Sequence, residues 1–245
     1  GLVNCQPRRN YLKYYCSTII KRRLNLREEV YLNLWQDFKT NDKKLIHKWM
    51  HYFPIYERHL SCFRNKTTTM VEIGVSKGGS LQMWQRFLGP MATLVGIDID
   101  ASCAEHEDDN IFVRIGDQSD KTFLQSVFQE FGTPDIVIDD GSHIMSHISA
   151  TFEYFYPRLS KNGIYIVEDL HTAYWEEFEG GIENPETFIN KSKSFVDKLN
   201  ADHTRGVIEP DFISKNTFGI SFYDSVVVLE RGSIPLKKAP MTGNN

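Results

Sequence analysis

VEIGVSKGGSLQMW, residues 71–84, decides the fold. A short β-forming run passes through Gly74, reaches Gly78 and Gly79, and continues into a stretch of helical composition. A strand that turns through glycines into a helix presents unpaired backbone N–H groups where an anionic ligand group can dock. Gly74, Gly78 and Gly79 would let such a ligand approach the main chain, and Ser80 would cap the helix while donating to a carboxylate.

Outward from this stretch the same alternation repeats. TMVEIGV (69–75), TLVGIDI (93–99), NIFVRIG (110–116), PDIVIDD (134–140) and GIYIVED (163–169) are near-continuous apolar runs ending in glycine or acid. SLQMWQRFLG, SDKTFLQSVFQEFG and ISATFEYFYPRLSKNG lie between them as helix-like segments. Runs apolar on both faces, separated by helices, predict a parallel sheet covered on both sides. NTFGISFYD and SVVVLERG abut at Asp224-Ser225 and read as a closing antiparallel hairpin. The expectation is an α/β, Rossmann-like, doubly wound and mostly parallel seven-stranded sheet.

In such sheets ligands bind beyond the carboxyl ends of the strands, so the terminal acids share one edge. Asp98 stands 20 residues beyond Gly78, where a carboxylate accepts the hydroxyls of a ribose. Asp117, Gln118 and Ser119 end the third run, placed for an adenine edge, and Asp139 ends the fourth beside them. The dinucleotide fingerprint is incomplete: Glu72 precedes the first glycine and Ser76 takes the middle position. An acid there repels pyrophosphate and suits a ligand carrying an ammonium and a sulfonium, as S-adenosylmethionine does.

These residues resemble the class I S-adenosylmethionine-dependent methyltransferases, and within them the metal-dependent sugar O-methyltransferases of the mycinamicin and macrocin type. The resemblance spans roughly residues 36–231. NDKKLIHKWMHYFPIYERHL is similar to the family's lead-in segment, EIGVSKGGSLQMW to its cofactor loop and VGIDID to its ribose strand. IDDGSH and IVEDLHTAYW resemble its metal and catalytic segments, and FYDSVVVLERG its closing hairpin. The cofactor loop is shorter than in the macrolide enzymes. By the resemblance Asp140, Glu168 and Asp169 match the magnesium ligands and His143 the general base. It implies S-adenosylmethionine with Mg²⁺ or Mn²⁺, and a sugar or glycan acceptor such as a deoxyhexose.

The chemistry of the residues agrees. Asp140 and Glu168 are 28 residues apart, about one strand-helix-strand unit, so on neighbouring strands the carboxylates converge. Hard oxygen ligands suit Mg²⁺ or Mn²⁺ better than zinc. His143, three residues past Asp140, could take a hydroxyl proton as a general base. His147 reads as a helix-face histidine rather than half of a zinc pair. His171, Tyr174 and Trp175 are placed at the acceptor, where an aromatic face could stack on a sugar; Trp84, Trp49, Tyr52 and Tyr56 read as packing residues.

Composition sets the limits. The 245 residues, 41% hydrophobic, suffice for one large α/β core and a small appendage. A net charge of −4 offers no field for nucleic acid, although Arg8, Arg9, Lys13, Lys21, Arg22 and Arg23 cluster near the start. Cys5, Cys16, Cys62 and Cys103 lack metal-site or disulfide-framework spacing, and no run suits a membrane span or signal core, so a cytoplasmic setting is expected. Residues 10–65 read as helices, giving an expected helical cap (1–66), a methyltransferase domain (67–232) and a loose tail (233–245). The chain opens on Gly rather than Met, pointing to a processed product or a piece of a larger glycan-modifying protein; a homo-oligomer is a further expectation. Two other readings stand beside the sugar enzyme: a methyltransferase of a catechol-like molecule, and a silent or nicotinamide-binding Rossmann module.

Overall fold

The computed structural model describes residues 33–232, 234 and 237–243. Five parallel strands, β1 (Thr68–Ile73), β2 (Ala92–Asp98), β3 (Ile111–Ile115), β4 (Ile136–Asp139) and β5 (Ile164–Val167), coincide with the five apolar runs, and β6 (Thr217–Tyr223) and β7 (Val226–Arg231) form the hairpin. Their order is β3-β2-β1-β4-β5-β7-β6, with β7 antiparallel to both its neighbours. The chain reverses direction of travel across the sheet between β1 and β4, which makes that pair the switch point.

Strand parity sorts the side chains. Met70, Leu94, Ile136, Ile138, Ile164 and Ile166 face one layer, and Val71, Ile73, Val95, Val137, Tyr165 and Val167 the other. The first layer is closed by α1 (Leu34–Lys39), α2 (Phe53–Leu60) and α3 (Gly79–Leu88), through Leu34, Phe53, Tyr56, Leu60 and Trp84. The second is closed by α4 (Lys121–Phe131), α5 (Met145–Phe155), α6 (Phe188–Leu199) and α7 (Phe212–Asn216). Continuing the alternation past the strand ends puts Glu72, Asp140 and Glu168 on the first face and Asp139 on the second.

Local chemistry starts the helices where they start. Asp120 accepts from the Thr122 N–H ahead of α4, Thr187 accepts from the Asn190 N–H ahead of α6, and Asp211 and Ser214 form a capping box on α7. Gly78, at φ 72, supplies the left-handed residue from which α3 springs.

The lead-in departs from expectation. Residues 45–63 read as one helix, but residues 45–49 are irregular and regular helix begins at Phe53, after a 3-10 turn (Met50–Tyr52) and with Pro54 in the first helical turn. The irregular stretch lies across the N-terminus of α3, where a Cβ on Gly79 would come within 2.3 Å of the Leu45 carbonyl oxygen. Trp49, expected in the cap core, is 52% exposed. Residues 1–32 of the expected helical cap, with the basic cluster from Arg8 to Arg23, lie outside the described residues. Among those described, no helix is long and apolar enough to cross a membrane.

Candidate active site

Three carboxylates from three strand ends meet one buried ammonium. Register sets Glu72 of β1 beside Ile138 of β4, and Asp139 beside Val167 of β5, so Asp140 and Glu168 follow side by side. Lys48 Nζ donates to Asp140 Oδ2 at 2.6 Å and to Glu168 Oε2 at 2.8 Å, and lies 3.7 Å from Glu72 Oε1. The Lys48 side chain is 3% exposed. Burial alone would discharge it, but Asp140, Glu168 and Glu72 together hold it protonated, well above the ordinary lysine range.

The acids have further partners. Ser80 Oγ donates to Glu72 Oε2 at 2.7 Å and Trp84 Nε1 to Oε1 at 2.9 Å, so Glu72 is fully engaged yet raised in pKa by its burial. Ser80 therefore secures Glu72 instead of capping α3, whose N-cap is Gly78. Tyr56 Oη donates to Glu168 Oε1 at 2.7 Å. Burial, and after it the Asp140 charge, raises the Glu168 pKa against the pull of Lys48. Removing one member of such a buried pair costs roughly 3–5 kcal/mol, because the other charge is left uncompensated.

Asp140, His143 and Asp169 each offer one ligand atom, all within 4.8 Å of one another. His143 Nε2 lies 3.7 Å from Asp169 Oδ2, and Tyr52 Oη donates to Asp169 Oδ1 at 2.6 Å. Both His143 (φ 60) and Asp169 (φ 52) adopt the left-handed conformation, which these residue types tolerate better than most. Such conformations concentrate where surrounding contacts hold a side chain for use. Glu168, expected with Asp140 and Asp169 as a metal ligand, turns its two oxygens toward Tyr56 and Lys48, leaving further lone pairs on each.

The expected nucleotide residues gather on the other side of Gly74. Asp98 Oδ2 accepts from the N–H of Val75 (2.8 Å) and of Ser76 (3.0 Å), and Oδ1 from that of Asp100 (3.0 Å). Burial pushes the Asp98 pKa up, but these donors outweigh it and the net shift is downward. Asp117 accepts from the Ser119 N–H and hydroxyl, both at 2.7 Å. Gln118 points inward: it donates to Asp139 Oδ1 at 3.1 Å and accepts from the Ser142 N–H at 2.7 Å. Asp139 is buried beside it, its pKa raised to about 7 by desolvation. Asp139 and Gln118 thus brace the loop after β4 instead of presenting free polar edges.

Two cavities adjoin here. One, of about 330 Å³, is lined by Ile73, Ile97, Ile99 and Ile144 with Asp98 and Asp117 at its edge. The other, of about 310 Å³, holds Lys48, Ser76, Ser80, Asp140, His143 and Asp169. Gly74, Asp98 and Gly141 line both. Gly79 does not open onto a ligand path, since the Lys44 and Leu45 carbonyls cover it. His147 faces Ser142 at 3.0 Å and not His143.

Gly74 carries a sharp constraint. Its φ is +94, and a Cβ would stand 2.0 Å from the Asp140 carbonyl oxygen, a backbone atom that cannot yield. Gly74→Ala is expected to destabilise the chain by roughly 3 kcal/mol or more, read as a drop in the urea midpoint at unchanged slope.

Three residues that the sequence did not single out for the site belong to it. Lys48, Tyr52 and Tyr56 come from the lead-in and reach Asp140, Asp169 and Glu168 across 92, 117 and 112 residues of chain. The four-residue spacing of the two tyrosines on one helical face was a usable signal. The expected acceptor residues His171, Tyr174 and Trp175 line neither of these two cavities: His171 Nδ1 bonds Ser225 Oγ at 2.6 Å, and its ring meets Trp175 and Trp49 edgewise at 4.9 and 5.9 Å.

Residues 71–170 match a family described as a methyltransferase domain. The chain is 36% identical over 202 residues to the mycinamicin VI 2''-O-methyltransferase of Micromonospora griseorubida, covering 75% of this chain and 49% of the relative. It is 35% identical over 201 residues to the 8-demethyl-8-alpha-L-rhamnosyl tetracenomycin-C 2'-O-methyltransferase of Streptomyces olivaceus, covering 78% and 52%. A solved complex of the mycinamycin-pathway methyltransferase MycE with Mg, SAH and mycinamycin VI superposes with a TM-score of 0.71 at 32% identity, over 83% of this chain and 55% of that one. The chain thus spans about half the length of the relatives it matches. Its fold is the Rossmann-like methyltransferase fold, and the chain carries a methyltransferase domain similar to those of the mycinamicin and tetracenomycin sugar O-methyltransferases.

Proposed function

We propose that this chain transfers a methyl group from S-adenosylmethionine to a hydroxyl of a sugar, with Mg²⁺ or Mn²⁺ bound beside the acceptor. The observation that carries this reading is the pair of adjoining cavities at the switch point. One is apolar with ribose-type acids at its edge, the other lined by Asp140, Asp169 and His143 together with His47, Lys48 and Lys77. When bound, the cofactor supplies an electrophilic methyl and the cation lowers the pKa of a coordinated hydroxyl.

The residues of the chain do the rest. Asp98 accepts the ribose hydroxyls, Asp117 and Ser119 border the base, and Glu72 with Ser76 and Ser80 lies toward the amino-acid end. Asp140 and Asp169 hold the cation, and Glu168 completes the set through its remaining lone pairs. The donor set fits: Asp140, His143 and Asp169 offer ligand atoms within 4.8 Å of one another, Glu168 shares Lys48 with Asp140 beside them, and hard carboxylate oxygens suit a hard divalent cation. His143 takes the proton of the acceptor hydroxyl at Nε2, and the Asp169 carboxylate, with Oδ2 3.7 Å from that nitrogen, favours the imidazolium that forms.

The acceptor class rests on the relatives, which act on mycinamicin VI and on a rhamnosyl group by their names. A deoxyhexose such as rhamnose is the acceptor proposed here.

Titration calorimetry tests the reading. S-adenosylmethionine is expected to bind in the micromolar range, and NAD not at all. After EDTA treatment, Mg²⁺ or Mn²⁺ is expected to give a separate binding heat. Binding of NAD in place of S-adenosylmethionine, or no metal heat, would refute it.

A further inference from the structure

We infer that Lys48 is a positioning residue that shares the metal-site carboxylates with the divalent cation and thereby sets the affinity of the site for it. This rests on the metal reading above and names a determinant that lies outside the expected ligand set.

The geometry is specific. Lys48 reaches the site from an irregular stretch with no helix or strand of its own, and its ammonium touches the two neighbouring acids of β4 and β5 at once. It spans Asp140 Oδ2 and Glu168 Oε2, one oxygen of each, so that the carboxylates of two different strands are held by one donor. Buried like-charged acids repel strongly where water is scarce, and Lys48 is the cation that the described residues place between them. Tyr56 on Glu168 and Tyr52 on Asp169 complete a layer of donors behind the acids. Outer partners of this kind orient ligands and tune a metal site.

The same charge has a second effect. A fixed ammonium in contact with a metal's ligands withdraws negative charge from them and repels an incoming dication. Lys48 therefore orders the acids and limits how tightly they hold the metal. After its removal Tyr56 Oη still donates to Glu168 Oε1, and the Asp140 N–H still donates to the Ile73 carbonyl and so holds the Asp140 main chain in place.

The test is Mg²⁺ titration calorimetry on the full chain, wild type against Lys48→Met and Lys48→Gln. The expected result is Mg²⁺ binding about tenfold tighter in Lys48→Met, with Lys48→Gln between it and the wild type. Damage to a structural support weakens binding, so tightening is a readout that a purely structural role does not produce. Unchanged or weaker affinity in folded variants overturns the inference. Absence of any Mg²⁺ heat in the wild type overturns the metal reading instead, which keeps the two failures apart. If neither variant folds, the Nζ resonance of Lys48 in the ¹⁵N-labelled wild-type chain decides. Assigned by its loss in Lys48→Arg, it is expected to shift on adding Mg²⁺, and an unmoved signal counts against the inference.

Discussion

His143→Ala lowers turnover by on the order of 100-fold or more and leaves S-adenosylmethionine affinity within about twofold. A base that takes the acceptor proton contributes roughly 10²–10⁴ to the rate, and 100-fold corresponds to about 2.7 kcal/mol of transition-state stabilisation. Cofactor affinity stays because His143 is not among the residues proposed to hold the cofactor: it lies outside the apolar cavity, its ring is nearest Asp169, and in the polar cavity the amino-acid end falls to Ser76 and Ser80. The variant folds, since Ala replaces a side chain about one-quarter exposed. Its backbone, at φ 60, becomes somewhat less favourable. Methyl transfer to a rhamnosyl glycoside, followed with and without added imidazole, gives the check: free imidazole is expected to restore part of the rate. A large loss of cofactor binding, or turnover near wild type, removes His143 from the base role.

The sheet and the edge that carries the site were legible because strand signals and chemistry coincide. Each apolar run ends in an acid or a glycine, and a parallel sheet can only bring those ends together. The hairpin declared itself at Asp224-Ser225 by two abutting β-forming runs. Parity was equally readable in IVIDD: counting by twos from Ile136 puts Asp140 with Ile138 and Asp139 with Val137, which predicts opposite faces for the adjacent acids. Residues 45–49, helix-like in sequence, misled because periodicity is local. What keeps residues 45–49 irregular is contact with Gly79 and the pull of three carboxylates on Lys48, none of it visible in the segment. Nothing in NDKKLIHKWM distinguishes Lys48 from Lys43 and Lys44, since its partners lie far along the chain. The helix Phe188–Leu199 was missed for a different reason. Its signal was present in Thr187 as cap and in Phe188, Ser192 and Phe195 at helical spacing, but it falls where no strand ran alongside to frame it.

Asp140→Asn is expected to weaken Mg²⁺ binding by on the order of 100-fold, while Asp139→Asn leaves it within about twofold. The two acids are neighbours in sequence with opposite surroundings. Asp140 faces the same layer as Glu168 and Lys48, is part of the cluster with His143 and Asp169, and is one-fifth exposed. Its replacement removes a hard anionic oxygen and one unit of charge from the site. Lys48 keeps Glu168 at 2.8 Å, so the chain stays folded and the loss is one of affinity. Asp139 lies on the other face under Gln118, and burial already raises its pKa to about 7, so an amide there mimics a group that is half protonated near neutrality. Calorimetry on both variants separates the roles. Equal weakening by the two would mean that the pair acts as one charged unit and that the faces of β4 do not divide metal from scaffold; a selective loss in Asp140→Asn assigns the metal to the face that Lys48 and Tyr56 line.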